Sequence, residues 1–82
     1  MSKADEMFEK LGYCKQNFLE HTDYYNEEWE TIISFNDDKS FVSLDIYDGY
    51  AKITMQELQA INEKVKELGW NEWLLYMYYM RQ

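Results

Sequence analysis

Residues 29–53 read WETIISFNDDKSFVSLDIYDGYAKI, and apolar and polar side chains alternate along most of this segment. Alternation with a period of two is typical of a β-strand that has one buried face. Residues 36–39 have the composition of a turn, and Asp48-Gly49 is a strong hairpin signal. The segment predicts an antiparallel meander with strands near residues 29–35, 41–47 and 50–53.

The residues before this segment have a weaker pattern. Residues 13–18 are compatible with a further strand, and residues 21–23 with a polar connection, so the sheet has three or four strands. From residue 29 onward the alternation places Trp29 on the same face as Thr31, Ile33 and Phe35. Glu28 and Glu30 then share the opposite face of that strand. We expect the acidic β-meander to occupy residues 20–53.

Two helices are predicted to flank the sheet. Ser2 is a suitable N-cap for a helix over residues 2–11, and Gly12 can end it. Thr54-Met55-Gln56-Glu57 has the pattern of a capping box. The apolar positions of the helix that follows are Leu58, Ile61, Val65 and Leu68. Because one apolar stripe of each helix can cover the same face of the sheet, the sequence predicts a small two-layer α+β domain.

The chain ends in an unusually apolar segment, for which the sequence predicts a helix over residues 71–81. A helix that is apolar nearly all round is buried or lies at an interface. Here it either closes the core of its own chain or contacts a second copy, and a homodimer would enlarge the core of a short chain. The residues expected to mediate self-association are Trp70, Trp73, Leu74, Met77, Tyr78 and Met80.

The length of 82 residues fits a single domain over residues 1–82. Cys14 is the only cysteine, so an intramolecular disulfide is excluded, and the N-terminal residues lack the apolar core of a signal peptide. The longest apolar run, residues 73–80, is much shorter than the roughly 20 residues that span a bilayer. These features predict a cytoplasmic protein without a membrane segment.

The net charge of −8 is concentrated in the middle of the chain. Residues 20–48 contain nine acidic residues and one basic residue, Lys39, while the two flanking segments are each neutral. A field of one sign attracts partners of the opposite sign and repels nucleic acid and anionic membranes. We expect no direct binding to nucleic acid, because the eight basic residues form no cluster that would contact phosphates.

The sequence gives little indication of catalysis. Cys14 and His21 are the only pair resembling a nucleophile and its base, and a single cysteine with a single histidine is too few for a structural zinc site. The acidic residues lack the spacing of a calcium loop, and the three glycines form no phosphate-binding loop. We therefore expect a protein that is not an enzyme and has no metal or cofactor.

Two segments, ADEMFEKLGY at residues 4–13 and ITMQELQAIN at residues 53–62 with ELGW at residues 67–70, resemble a widespread group of small proteins. These are encoded by phages and prophages of low-GC Gram-positive bacteria. The resemblance covers about residues 2–70 and specifies no activity, while residues 71–82 depart from the group. Because the group includes inhibitors of bacterial defence, anti-CRISPR proteins among them, the resemblance implies a protein-binding antagonist.

Charge pattern and resemblance together predict an acidic decoy of nucleic acid. Carboxylates at alternate residues of a strand repeat at about 6.6–7 Å, close to the spacing of phosphates, and could occupy the basic surface of a host protein. The expected contact residues are Glu27, Glu28, Glu30, Asp37, Asp38, Asp45 and Asp48, with Tyr24, Trp29 and Tyr47 as aromatic anchors. The alternative is a self-associating module whose acidic face is only solvated and keeps the protein soluble.

Overall fold

A computed structural model describes residues 2–47, 49 and 52–70 of the chain. The elements, in chain order, are α1 (Lys3–Lys10), β1 (Tyr13–Asn17), β2 (His21–Asn26), β3 (Thr31–Asn36), β4 (Phe41–Asp45) and α2 (Met55–Glu67). The four strands form one antiparallel sheet in the order β1-β2-β3-β4. The predicted α+β fold class is confirmed.

Both helices begin where the sequence predicts. The Asp5 backbone N–H donates to Ser2 Oγ (3.1 Å), which caps α1. At α2 the capping box is complete, because Glu57 N–H donates to Thr54 Oγ1 (3.1 Å) and Thr54 N–H donates to Glu57 Oε1 (2.9 Å). Gly12, with a φ of +93°, follows the end of α1 in the left-handed conformation that favours glycine.

The two helices cover one face of the sheet. Residues that are directly opposite across strands share a face, and Tyr24 lies opposite both Lys15 and Ile33. Ala4 of α1 and Ala60 of α2 are almost fully buried, and their small side chains let the helices lie close together. The buried apolar core consists of Phe8, Tyr13, Tyr24, Ile33, Phe35, Ala60 and Ile61.

The second strand was not predicted. Residues 21–23, expected to form a polar connection, are the first part of β2, and the connection lies earlier, where Phe18 N–H donates to the His21 carbonyl (2.8 Å). β2 is hydrogen-bonded to a neighbour on each side. These backbone bonds hold His21, Thr22 and Asp23 in an extended conformation that their side chains do not indicate. Among the described residues, the strands thus lie between residues 13 and 45, so the sheet begins before the predicted start at residue 20.

The limits of the later strands also differ from the prediction. β3 begins at Thr31, and residues 27–30 form the turn before it, in which Glu30 has a φ of +51°. The prediction that Glu28 and Glu30 share one face of a strand is therefore wrong. β4 ends at Asp45, and residues 52 and 53 lie outside any strand, which contradicts the predicted strand 50–53 at those two positions.

The buried face of α2 is rotated relative to the predicted stripe. Ile61 is buried and Val65 packs against the core, as expected, but Leu58 and Leu68 are exposed. Glu57 and Lys64 take buried positions instead, because Glu57 accepts from the buried Tyr13 hydroxyl and Lys64 donates to Glu67 at the surface. The predicted helix over residues 71–81 lies outside the described residues.

Candidate protein-binding site

The sheet gathers several of the predicted contact residues at one end. The β2–β3 turn and the residues after β4 meet there, because Ile46 N–H donates to the Glu30 carbonyl (3.0 Å) and Thr31 lies opposite Asp45. We call this region the acidic end. It comprises the carboxylates and aromatic rings of Glu27, Glu28, Trp29, Glu30, Asp45 and Tyr47.

The side chains of the acidic end are largely available to a partner. Glu27 and Glu28 are exposed, as are Trp29 and Tyr47, the latter with 79% of its surface accessible. Tyr47 N–H donates to Asp45 Oδ1 (2.9 Å), which holds the tyrosine beside the carboxylates. A hydrogen bond with the Glu30 carboxylate, together with its charge, raises the pKa of Tyr47. The acidic end therefore presents negative charge next to two exposed aromatic rings.

Asn26 is the residue that shapes the acidic end, and sequence reasoning missed it. Its side chain is 2% exposed, its Oδ1 accepts from Trp29 N–H (3.0 Å), and its Nδ2 donates to the Leu11 carbonyl (3.1 Å). The first bond closes the β2–β3 turn, and the second joins that turn to the end of α1. An asparagine that bonds a backbone N–H a few residues later is a known turn signal, so Asn26 before two glutamates was a usable hint.

Two further predicted acidic contact residues lie at the opposite end of the sheet. Asp37 and Asp38 are in the β3–β4 turn, where Asp37 N–H donates to the Glu20 carbonyl (3.1 Å). The six residues of β3 separate the two ends by about 20 Å. The carboxylates therefore form two separate groups, and the predicted single row along a strand is wrong. Asp48 lies outside the described residues.

Tyr24 is part of the core and not a surface anchor, which corrects the prediction. Only 1% of its surface is exposed, and its ring stacks on Phe8 with 4.0 Å between the centroids. Its hydroxyl donates to Asp5 Oδ1 (2.6 Å), and Lys15 Nζ lies 3.1 Å from the other oxygen of that carboxylate. Burial and the bond to Asp5 raise the pKa of Tyr24. A ring in this position cannot reach a partner.

The predicted self-association residues are mostly not described by the structure. Trp70 is the one that the structure describes. It lies against the core of its own chain, with its ring centroid 5.9 Å from that of Phe35. Its backbone N–H donates to the Val65 carbonyl (3.1 Å). Trp70 therefore contributes to the core, whatever else it contacts. The other predicted self-association residues, Trp73, Leu74, Met77, Tyr78 and Met80, lie outside the described residues.

A group of buried polar side chains joins α2 to the sheet. The Tyr13 hydroxyl donates to Glu57 Oε2 and also lies 3.1 Å from Thr31 Oγ1. Burial and the neighbouring carboxylate raise the pKa of Tyr13. Further along α2, Lys64 Nζ donates to Glu67 Oε2 (2.6 Å). Tyr13, Thr31 and Glu57 pair with each other inside the fold, whereas Lys64 pairs with the exposed Glu67 of its own helix. We assign all of these groups a structural role.

The only cysteine and the only histidine are not placed to act together. Cys14 lies opposite Tyr25 in the β1–β2 hairpin. His21 lies four residues before Tyr25 in β2, so Cys14 and His21 are about 14 Å apart along the strands. Among residues 2–47, 49 and 52–70, no three His, Cys, Asp or Glu side chains are grouped so that they could hold a metal ion. Neither described helix has the length and apolarity needed to cross a membrane.

Comparison with protein families, with curated proteins and with solved structures finds no match to this chain. The resemblance to phage-encoded proteins thus stays a prediction from the sequence.

Proposed function

We propose that this protein is a non-catalytic, cytoplasmic inhibitor that binds a nucleic-acid-handling defence protein of a bacterial host. In this proposal the acidic end occupies the basic surface on which the target holds nucleic acid, as anti-CRISPR-like decoys do. One observation carries the proposal: the fold brings together six of the ten contact residues expected from the sequence. Four of them are carboxylates, and two are exposed aromatic rings.

This combination suits a lysine- and arginine-rich partner. Carboxylates attract such a surface over a distance and speed association, while aromatic rings supply contact area and can stack on arginine. Because Glu27 and Glu28 are exposed and Glu30 and Asp45 are partly exposed, salt should weaken the contact. The resemblance to phage proteins supports a host defence protein as the target, and the absence of a basic cluster argues against direct binding to nucleic acid.

The first experiment locates the contact by photo-cross-linking in a lysate of a defence-positive bacterium. A photoreactive phenylalanine analogue replaces Tyr47 in one variant and Leu19 in the other. Leu19 is 95% exposed and lies at the opposite end of the sheet, so it controls for non-specific capture. We expect the Tyr47 variant alone to capture one basic, nucleic-acid-binding protein. Equal capture by both variants would contradict a contact through the acidic end.

The second experiment tests the charge with the captured protein in hand. The variant Glu27→Gln/Glu28→Gln/Glu30→Gln should weaken binding at least tenfold and should no longer displace nucleic acid. Its matched control, Glu20→Gln/Asp37→Asn/Asp38→Asn, removes the same charge at the opposite end and should leave the affinity within about twofold. Equal losses in both variants would show attraction by net charge alone. A target that binds nucleic acid and this protein simultaneously would rule out the decoy.

A further inference from the structure

Among the residues that the structure describes, the strand β4 forms an edge of the sheet without the usual protection. Within the described part of the chain it pairs with β3 only. Its side chains Phe41, Val42 and Leu44 are each 40–43% exposed, and its one charged residue, Asp45, is the last. Edge strands are normally guarded by a central charge, a proline or a bulge. The other edge, β1, has such a charge at its centre in Lys15.

The middle residue of β4 has a polar group that needs a partner. Ser43 lies opposite Ile33 and so faces the helix-covered side of the sheet. Its Oγ is inaccessible to solvent and has no hydrogen-bond partner among the described residues. A buried hydroxyl without a partner is unfavourable, and native structures contain few of them. Within the described residues, the hydroxyl without a partner thus lies on the strand that pairs with one neighbour only.

We infer that β4 pairs with β4 of a second copy, antiparallel, about a two-fold axis that passes through Ser43. This pairing would join two four-stranded sheets into one of eight strands, with the same surface used by both copies. Ser43 would lie directly opposite Ser43 of the second copy, where one hydroxyl can donate to the other. Val42 would lie opposite Leu44 of the second copy, which buries two exposed apolar side chains on each side.

The charges in and near β4 allow this arrangement but make it depend on salt. The two Asp45 carboxylates would be four residues apart along the strands, about 14 Å. That distance exceeds the Debye length of about 8 Å at physiological ionic strength. The turn with Asp37 and Asp38 would, however, approach the acidic end of the second copy. Dimerisation should thus strengthen as salt rises, whereas binding of a basic target should weaken, so the two contacts can be told apart.

Disulfide trapping in the full chain tests the pairing and its register. All variants carry Cys14→Ser, so that only the introduced thiols react. Residues directly opposite in an antiparallel pair have Cα atoms about 4.5–5.5 Å apart, within disulfide reach. We expect Ser43→Cys to give a covalent dimer under mild oxidation. Val42→Cys alone and Leu44→Cys alone should each stay monomeric, since residue 42 of one copy lies about 7–8 Å from residue 42 of the other, and the same holds for residue 44. A mixture of the two variants should cross-link, because residue 42 of one copy lies directly opposite residue 44 of the other.

The control is Lys15→Cys at the centre of the other edge, which should remain monomeric at the same concentration. Sedimentation of the unmodified chain should show a mass that rises with concentration and with salt. If Ser43→Cys does not fold by circular dichroism, the mixture of the two flanking variants gives the result instead. The inference is overturned if Ser43→Cys forms a covalent dimer no faster than Lys15→Cys does. It is also overturned if Val42→Cys alone forms a covalent dimer, or if the unmodified chain stays monomeric.

Discussion

Tyr13 joins α2 to two strands through a single hydroxyl group. That hydroxyl donates to the buried Glu57 carboxylate and contacts Thr31. Since Glu57 also accepts from the N-cap of α2, loss of the hydroxyl would leave a buried charge with one partner fewer. Tyr13 is thus the side chain on which the position of α2 over the sheet most directly depends.

Replacing Tyr13 with phenylalanine should lower the free energy of unfolding by about 1–3 kcal/mol. The ring and its packing are retained, so the loss reports the hydroxyl alone. Urea denaturation followed by circular dichroism measures it. The control is Tyr47→Phe, at an exposed position, which should change stability by no more than about 0.5 kcal/mol. Equal stability of Tyr13→Phe and the unmodified protein would show that Glu57 is satisfied without Tyr13.

The two buried tyrosines predict a loss of stability in alkaline solution. Burial, with hydrogen bonds to Glu57 and Asp5, raises the pKa of Tyr13 and of Tyr24. A tyrosine in the unfolded chain ionises near pH 10, where the folded state still holds both protons. The unfolded state therefore binds fewer protons above pH 10, and stability falls as pH rises further.

This effect can be measured as the free energy of unfolding in urea between about pH 9 and pH 11. The free energy of unfolding should change little with pH at the lower end of this range and should then fall as the pH rises. In the variant Tyr24→Phe one of the two groups is absent, so the negative slope should become smaller even though the variant starts less stable. A slope that is unchanged in Tyr24→Phe would contradict the role assigned to that hydroxyl.

At the scale of elements, the connection between α1 and the acidic end depends on Gly12 and Asn26. Gly12 has a φ of +93°, and a Cβ at that position would lie 3.3 Å from Asn26 Nδ2. Asn26 in turn closes the turn that contains Glu27, Glu28 and Glu30. A residue after the first helix therefore helps to shape a surface formed much later in the chain.

Gly12→Ala should destabilise the protein by more than the roughly 1–2 kcal/mol of left-handed strain alone, because the added methyl group also presses on Asn26. Gly49→Ala is the matched control, since Gly49 has a φ of +79° but open space around its Cβ position. Gly49→Ala should lose only the stability that corresponds to left-handed strain, because its added methyl group contacts no neighbouring residue that the structure describes. Thermal unfolding of both variants provides the comparison. A smaller loss for Gly12→Ala than for Gly49→Ala would contradict the proposed contact.

At the scale of the whole molecule, the uneven charge should reduce stability. The chain has a net charge of −8, and two groups of its acidic residues, Glu27, Glu28, Glu30 and Asp45 in one and Glu20, Asp37 and Asp38 in the other, lie at opposite ends of the sheet. Like charges that are held close together repel each other in the folded state, and the repulsion relaxes when the chain unfolds. We therefore expect the repulsion between the charges of the acidic end to lower stability by more than their hydrogen bonds to Tyr47 raise it.

Neutralising the acidic end with Glu27→Gln/Glu28→Gln/Glu30→Gln should raise the free energy of unfolding at low salt by about 0.5–2 kcal/mol. The gain should shrink at about 1 M salt, where the Debye length is near 3 Å. Urea denaturation at the two salt concentrations measures both values. The same data show whether a loss of target binding arises from the charge or from unfolding. A triple variant less stable than the unmodified protein would mean that the carboxylates make stabilising contacts.

The sequence by itself determined the features that depend on a few neighbouring residues. The caps at Ser2 and Thr54, the glycine after α1, the turn at residues 36–39 and the buried face of Thr31, Ile33 and Phe35 all follow from local chemistry. Each involves contacts within one turn of helix or one strand, so the residues concerned are adjacent in the sequence. The fold class follows from these features as well, because two apolar helix stripes and a one-sided sheet have few ways to pack.

Only the tertiary structure decided which residues reach the surface and which charges lie together. Tyr24 is buried because Phe8 and Asp5, from a different element, complete its surroundings, and β2 is a strand because it has a neighbour on each side. The predicted acidic contact residues Glu27, Glu28 and Glu30 lie at one end of the sheet and Asp37 and Asp38 at the other because β2 and β3 end at Asn26 and Asn36. These limits depend on side-chain and cross-strand hydrogen bonds. Such contacts join residues far apart in the chain, and no periodicity in the sequence encodes them.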